Sequence, residues 1–152
     1  MLAFLTSIRH PHYSNNFKQV VSLAGMAINS VTNQTSEKYH VFVVCNEEPE
    51  INLEKPEKVT FITVDFPPPS RSKKAQTNLE ELRIDRGTKY IIGILEAFNI
   101  GADFIMFFDA DDFVSNRLAD FVNLQNKEKS GWYFSEGYLY RFGTDIIRLI
   151  PG

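Results

Sequence analysis

The chain has 152 residues, a length that predicts a single domain, and 43% of them are hydrophobic, enough to bury a sizeable core. Its 16 basic and 19 acidic residues give a formal net charge of −3, which argues against nucleic acid as the main partner. No apolar run reaches the roughly 20 residues of a membrane span, and the single cysteine, Cys45, excludes an internal disulfide and predicts a cytoplasmic location.

The apolar pattern of the first half predicts alternating strands and one helix. A short apolar strand covers Leu2 to Ile8, and apolar residues at helical spacing predict a helix from Phe17 to Val31. Further strands follow over Tyr39 to Cys45 and Val59 to Val64. Residues 66–74 contain three prolines and then basic residues, so they predict a surface loop.

The second half continues the alternation. It predicts a helix that starts at Asn78 or Asp85, ends at Asn99 and is capped by Gly101. An apolar strand from Phe104, a short helix capped by Ser115 or Asn116, and a strand-like tail from Gly131 to Leu149 with turns at Gly137 and Gly143 follow. This order predicts an α/β sandwich with a largely parallel sheet.

The segment from Phe104 to Asp112 is the most informative part of the chain. Five large apolar residues run directly into three carboxylates, Asp109, Asp111 and Asp112. The apolar run predicts a strand buried on both faces in the middle of a parallel sheet, so the acids lie at its carboxyl end, where α/β sheets bind ligands. Two such charges about 5 Å apart repel by roughly 3 kcal/mol at an effective dielectric constant near 20. A divalent cation between them would remove this cost, which is a metal-site hypothesis.

Three other interpretations of the acidic cluster compete with the metal site. An EF-hand loop starting at Asp109 would have Phe113 and Val114 at its fifth and sixth positions, so that loop is excluded. A haloacid dehalogenase-type phosphatase is disfavoured because its paired acids follow the first strand. A solvated cluster in which Asp111 or Asp112 helps to cap the next helix stays open.

The order of these elements resembles a known family. The chain begins with a strand–helix–strand unit and continues with the basic helix start Arg83–Lys89, an apolar strand ending in Asp-Ala-Asp-Asp and the later Gly131–Phe134 segment. This combination is similar to the nucleotide-sugar-binding half of GT-A glycosyltransferases, closest to family-2-like members. The resemblance extends from Phe4 to about Tyr140. It implies a three-layer, Rossmann-like sandwich and one nucleotide-diphospho-sugar-binding domain over residues 1–152, incomplete at the C-terminus after the DxD half.

The resemblance also implies a cofactor and a reaction. Mn²⁺ or Mg²⁺ would connect the motif to the diphosphate of a UDP- or GDP-type sugar donor, with Asp111 and Asp109 as metal ligands. Asp109 and Ala110 would also contact the donor. The implied activity is metal-dependent transfer of the sugar to an acceptor that the sequence does not identify. No residue is assigned as the catalytic base.

Basic residues at the start of the second long helix are the candidates for diphosphate contacts. Arg83, Arg86 and Lys89 follow one another at intervals of three, so a helix places them along one side. A solvated basic face paired with the nearby acids is the alternative, and it stays open.

Polar residues at the tips of the first two strands are the candidates for the nucleoside pocket. Thr6, Ser7 and Arg9 lie at the tip of the first strand, where the family approaches the ribose and base. Asn46 follows the second strand, where the family often has an aspartate; its amide offers a donor and an acceptor to a uracil-like edge. Cys45 is interpreted as a small core residue.

Two further functions stay open. The first is a nucleotide-binding module without independent activity, with a partner chain or a second copy covering the open sheet edge. A nucleotidyltransferase is the weaker alternative, because such enzymes need a Gly-rich loop after the first strand and residues 6–11 contain no glycine.

Overall fold

A computed structural model describes residues 1–67, 79–125, 128–141 and 143–151. Residues 68–74 of the predicted loop and the predicted helix start at Asn78 therefore lie outside the described residues. The described elements, in chain order, are β1 (Leu2–Ser7), α1 (Phe17–Thr32), β2 (Tyr39–Cys45), β3 (Val59–Thr63), α2 (Leu79–Asn99), β4 (Phe104–Phe107), α3 (Leu118–Leu124), β5 (Glu136–Tyr140) and β6 (Ile147–Pro151).

The first four strands form one parallel sheet in the order β3-β2-β1-β4. α1 and α3 pack on one face of this sheet, and α2 packs on the other. Crossovers between parallel strands are right-handed. The crossover from β1 to β2 runs in one direction across the sheet and the crossover from β3 to β4 runs in the opposite direction, so α1 and α2 lie on opposite faces. The predicted α/β class with a parallel sheet between helices is confirmed, and the architecture is Rossmann-like.

Local signals explain where the two long helices begin and end. The Asn16 side chain accepts a hydrogen bond from the Gln19 amide (3.2 Å) at the start of α1, as an N-cap residue does. Gly101 adopts a positive φ of 72° after α2, and the Ala102 amide donates to the Ala97 carbonyl (3.0 Å). This closes the last turn as predicted, since glycine adopts that backbone conformation without a Cβ clash.

Two local predictions in the last third of the chain are wrong. Arg117, not Ser115 or Asn116, holds the N-cap position of α3, and it makes no side-chain cap bond. Gly137 lies inside β5, whereas Gly143, with a φ of 76°, lies in the turn before β6 as predicted. β5 and β6 pair with each other as an antiparallel hairpin separate from the main sheet, and every residue of these two strands is exposed.

The strand that leads into the acidic cluster lies at the edge of the sheet, not in its middle. β1 and β2 are the central strands and are almost fully buried, whereas Phe107 of β4 is 46% exposed. The rings of Phe104 and Trp132 pack against each other with centroids 4.9 Å apart. The prediction of a fully buried strand in the middle of the sheet is therefore wrong. Among the described residues, β4 pairs with β1 alone, and its four residues are only partly buried or exposed.

Close contact between α2 and β1 fixes the position of the helix over the sheet. Gly93 lies directly against Leu5, and a Cβ at position 93 would come within 2.1 Å of a Leu5 methyl group. The absence of a side chain therefore lets the helix approach the central strand. Among the described residues, no helix is both long enough and apolar enough to cross a membrane.

Candidate functional site

The strand order creates a crevice where the carboxyl ends of β1 and β4 meet. The chain leaves β1 toward β2 on one side and returns to β4 on the other side, so the direction of winding reverses between these two strands. Such a reversal point is where open α/β sheets bind ligands. Leu5 pairs with Phe107, so Ser7 and Asp109 each lie two residues beyond that pair, at the same end of the sheet.

A cavity of about 510 Å³ opens at this reversal point. Its walls come from the ends of β1 and β4, the first turns of α1 and the first turns of α2. Most of the residues predicted to contact a donor line it. The lining residues are Ser7, Arg9, Val20, Leu23, Leu79, Leu82, Arg83, Asp85, Arg86, Asp109, Ala110 and Asp111. A volume of this size is within the range of small-molecule sites.

An arginine and an aspartate that both line the cavity are paired. Arg86 of α2 donates a hydrogen bond to an oxygen of the Asp109 carboxylate. Its Nε also donates to the Tyr90 hydroxyl (2.8 Å), and its guanidinium carbon lies 5.1 Å from the centre of the Tyr90 ring. Partial burial lowers the pKa of Arg86, but the hydroxyl of Tyr90 and the charge of Asp109 outweigh that effect, so the net pKa is raised. The guanidinium is therefore a permanent cation held within reach of the acidic motif.

Lys89 lies away from the cavity. Its ammonium group is buried and donates to the Ile8 carbonyl (3.0 Å) and to Asp85 (2.9 Å). Lys89 is not among the residues that line the cavity, and its ammonium group already has two protein partners, so the structure gives no support to a diphosphate contact by Lys89. Lys89 instead ties α2 to the segment that follows β1, and it holds Asp85 at the wall of the cavity.

The acidic motif forms a tight turn after β4. The Asp112 amide donates to the Asp109 carbonyl (2.9 Å), and Asp109 and Asp111 both face the cavity. Burial raises the pKa of the Asp112 carboxyl, and the neighbouring charge of Asp109 raises it further. Asp112 is not among the residues that line the cavity, so Asp109 and Asp111 are the two carboxylates of the motif that border it.

Asp109 and Asp111 supply carboxylate oxygens, the ligand type that hard divalent cations prefer. Within the described part of the chain, no three His, Cys, Asp or Glu side chains cluster in a way that would hold a metal alone. Mg²⁺ is commonly bound by one or two carboxylates together with phosphate oxygens of the substrate. Asp109 is already paired with a cation, the Arg86 guanidinium. Asp109 and Asp111 are therefore an incomplete set of metal ligands, and a divalent cation here would also need oxygen ligands from a bound phosphate.

The residues expected to surround the nucleoside divide into two groups. Ser7 and Arg9 line the cavity, whereas Thr6 is fully buried in the sheet. The reason is the alternation of side chains along β1, which directs neighbouring residues to opposite faces. Asn46 does not line the cavity either. Its Nδ2 donates to the carbonyls of Val64 (3.3 Å) and Phe66 (3.2 Å), while its buried Oδ1 has no partner among the described residues.

The interpretation of Cys45 as a core residue agrees with its surroundings. The thiol is buried, and this burial raises its pKa to about 11. At neutral pH the thiol is therefore protonated and a poor nucleophile.

The sequence prediction missed the residues that orient the charged side chains. Tyr90, which holds Arg86, and Asp85, which pairs with Lys89, were not assigned to the site. Both pairs have a spacing of four residues in α2, so helical periodicity was the available signal. The apolar walls formed by Val20, Leu23 and Leu82 carried no comparable signal, because such side chains look like ordinary core residues.

Comparisons of the chain with protein-family models, with curated proteins and with solved structures found no match in any of the three.

Proposed function

We propose that the chain is the donor-binding half of a metal-dependent glycosyltransferase of the GT-A type, which binds a nucleotide-diphosphate sugar of the UDP or GDP kind. One observation carries this proposal. Two carboxylates, Asp109 and Asp111, and two arginines, Arg83 and Arg86, line one cavity at the reversal point of a parallel sheet. A diphosphate that carries a divalent cation has charges of both signs, and it would find a partner for each.

Each group of residues has a role that follows from its position. Arg83 and Arg86 lie on α2 facing the motif and would bind phosphate oxygens. Ser7 and Arg9, at the end of β1, would contact the ribose, and the carboxylates of Asp109 and Asp111 would hold Mn²⁺ or Mg²⁺. A divalent cation bound there would act as a Lewis acid and stabilise the charge on the departing nucleoside diphosphate.

A nucleotide-binding module without transferase activity is the second candidate. Of the three carboxylates in the cavity wall, Asp85 is paired with Lys89, and Asp109 and Asp111 belong to the proposed metal site. Among the described lining residues, no further carboxylate is left to deprotonate an acceptor hydroxyl. This arrangement favours binding without independent catalysis.

Calorimetric titration with UDP and GDP, with and without Mn²⁺, tests the proposal. We expect binding that needs the metal and that weakens at least about tenfold in Asp111→Asn, since the loss of a metal ligand should cost no less than the loss of a supporting contact. Asp120→Asn is the matched control, because Asp120 is an exposed carboxylate on α3 outside the cavity. Nucleotide binding that is indifferent to Mn²⁺ and to Asp111→Asn would contradict the proposal.

A second measurement separates the transferase from the module. Metal-dependent hydrolysis of a UDP- or GDP-sugar, measured as release of the free sugar, would support a transferase site. Binding of the nucleotide with no release of sugar, by this protein at concentrations above the measured Kd, would support the module.

A further inference from the structure

Arg86 holds the position at Asp109 that a metal ion would need. The guanidinium and the carboxylate are in direct contact, and both side chains are half exposed. The Tyr90 hydroxyl and ring hold the other side of the guanidinium. The arginine is therefore anchored beside the motif, but its bond to Asp109 lies at the cavity, where a ligand can displace it.

We propose that Arg86 is a resident counter-ion of Asp109, which a divalent cation displaces and which then binds the diphosphate. This inference rests on the function proposed above and adds how cation and nucleotide binding are coupled. A divalent ion on Asp109 would place its charges next to the guanidinium, so the two cations repel each other and compete for one carboxylate. The Tyr90 contact keeps the displaced guanidinium in the cavity wall, where phosphate oxygens are expected.

The coupling determines which ligand the site prefers. A cation alone must break the Arg86–Asp109 pair, and an anion alone must draw Arg86 away from a carboxylate that is then left without its partner. A ligand that brings both a divalent cation and phosphate oxygens satisfies Asp109 and Arg86 together. One phosphate group shares the cation and a second one is available to Arg86, so the inferred ligand class is a diphosphate in preference to a monophosphate.

Binding of Mn²⁺ alone, measured by the electron paramagnetic resonance signal of the free ion, tests the competition. Arg86→Gln removes the competing cation, so we expect it to bind Mn²⁺ about two- to fivefold more tightly than the unmodified chain, the factor that corresponds to one exposed ion pair. Arg83→Gln removes the same charge from the same cavity wall without touching the Arg86–Asp109 pair. It should change Mn²⁺ affinity clearly less than Arg86→Gln does.

Binding of nucleotides tests the second half of the inference. With Mn²⁺ present, UDP should bind more tightly than UMP to the unmodified chain, and Arg86→Gln should reduce this preference by about tenfold or more, as expected for the loss of a charge-assisted hydrogen bond. Circular dichroism melting of each variant ensures that only folded protein is compared.

Two results would overturn the inference. The first is Mn²⁺ affinity in Arg86→Gln that is equal to or weaker than that of the unmodified chain, which includes the case in which neither protein binds Mn²⁺ detectably. The second is an equal effect of Arg83→Gln and Arg86→Gln, which would show a general charge effect and no specific competition. Failure of the proposed function looks different: UDP and GDP would then fail to bind the unmodified chain at any Mn²⁺ concentration, whatever the order of the Mn²⁺ affinities.

Discussion

Replacement of the buried Lys89 by methionine should destabilise the protein strongly. The substitution keeps the apolar stem but removes the ammonium group, which has hydrogen bonds to the Ile8 carbonyl and to Asp85. The Asp85 side chain is only 11% exposed, so it would become a nearly buried charge without its partner. Removal of one partner of a buried pair typically costs 3–5 kcal/mol, and because Asp85 borders the cavity we expect a loss near the lower end, about 3 kcal/mol.

Urea unfolding followed by circular dichroism measures this loss directly. For a domain of this size it corresponds to a fall in Tm of roughly 6–12 °C. The double variant Asp85→Asn with Lys89→Met should be less destabilised than the sum of the two single variants, since the pair is removed as a unit. Lys18→Met is the control because Lys18 is an exposed lysine on α1, and its free energy of unfolding should change by no more than about 0.5 kcal/mol.

The result that would refute this reasoning is a change below about 0.5 kcal/mol for Lys89→Met. It would mean that the ammonium group reaches solvent, and therefore that α2 is not attached to the segment after β1. The cavity described above would then lose one of its walls, because Asp85 and Arg86 are positioned by the same part of α2.

Two further predictions concern the packing that supports the site. Gly93→Ala should reduce the free energy of unfolding by about 1–3 kcal/mol, because the added methyl group would overlap Leu5. Gly87→Ala is the control: position 87 has open space around it, so the change should be neutral or stabilising by up to about 1 kcal/mol. Equal effects of the two changes in chemical denaturation would contradict the close approach of α2 to β1. Iodoacetamide should alkylate Cys45 slowly in the native protein at pH 8 and rapidly in urea, because burial raises the pKa of the thiol to about 11. Mass spectrometry measures the labelling, and fast labelling of the native protein would show that Cys45 is accessible.

Secondary structure was largely predictable because its signals are local. The apolar run from Tyr39 to Cys45 matches β2 residue for residue, and the helical spacing from Phe17 predicts α1 to within one residue of its end. Gly101 marked the end of α2 because few residues other than glycine adopt its backbone conformation. The proposal of a ligand site after β4 also came from local information, since it needed only an apolar strand followed by carboxylates.

The position of each strand in the sheet was not predictable in the same way. The run from Phe104 is typical of a central strand, yet within the described part of the chain β4 pairs with β1 alone, and its rings pack against Trp132 and against Tyr90 of α2. Apolar composition predicts that a segment is buried, but it does not predict which other segments pack against it. Strand order depends on which distant segments pair, and these contacts form only in the folded chain.

The candidate site shows the same division between local pattern and tertiary contact. Consecutive intervals of three residues rotate a side chain by about 60° around a helix each time, so Arg83 and Lys89 differ by about 120° although they belong to one sequence pattern. The sequence alone determined that one helix carries basic residues and that acidic residues follow one strand. Only the packing of α2 on β1 decided that Arg86 contacts Asp109 while Lys89 is buried and bonded to the Ile8 carbonyl, because burial and hydrogen bonding depend on neighbours that are far apart along the chain.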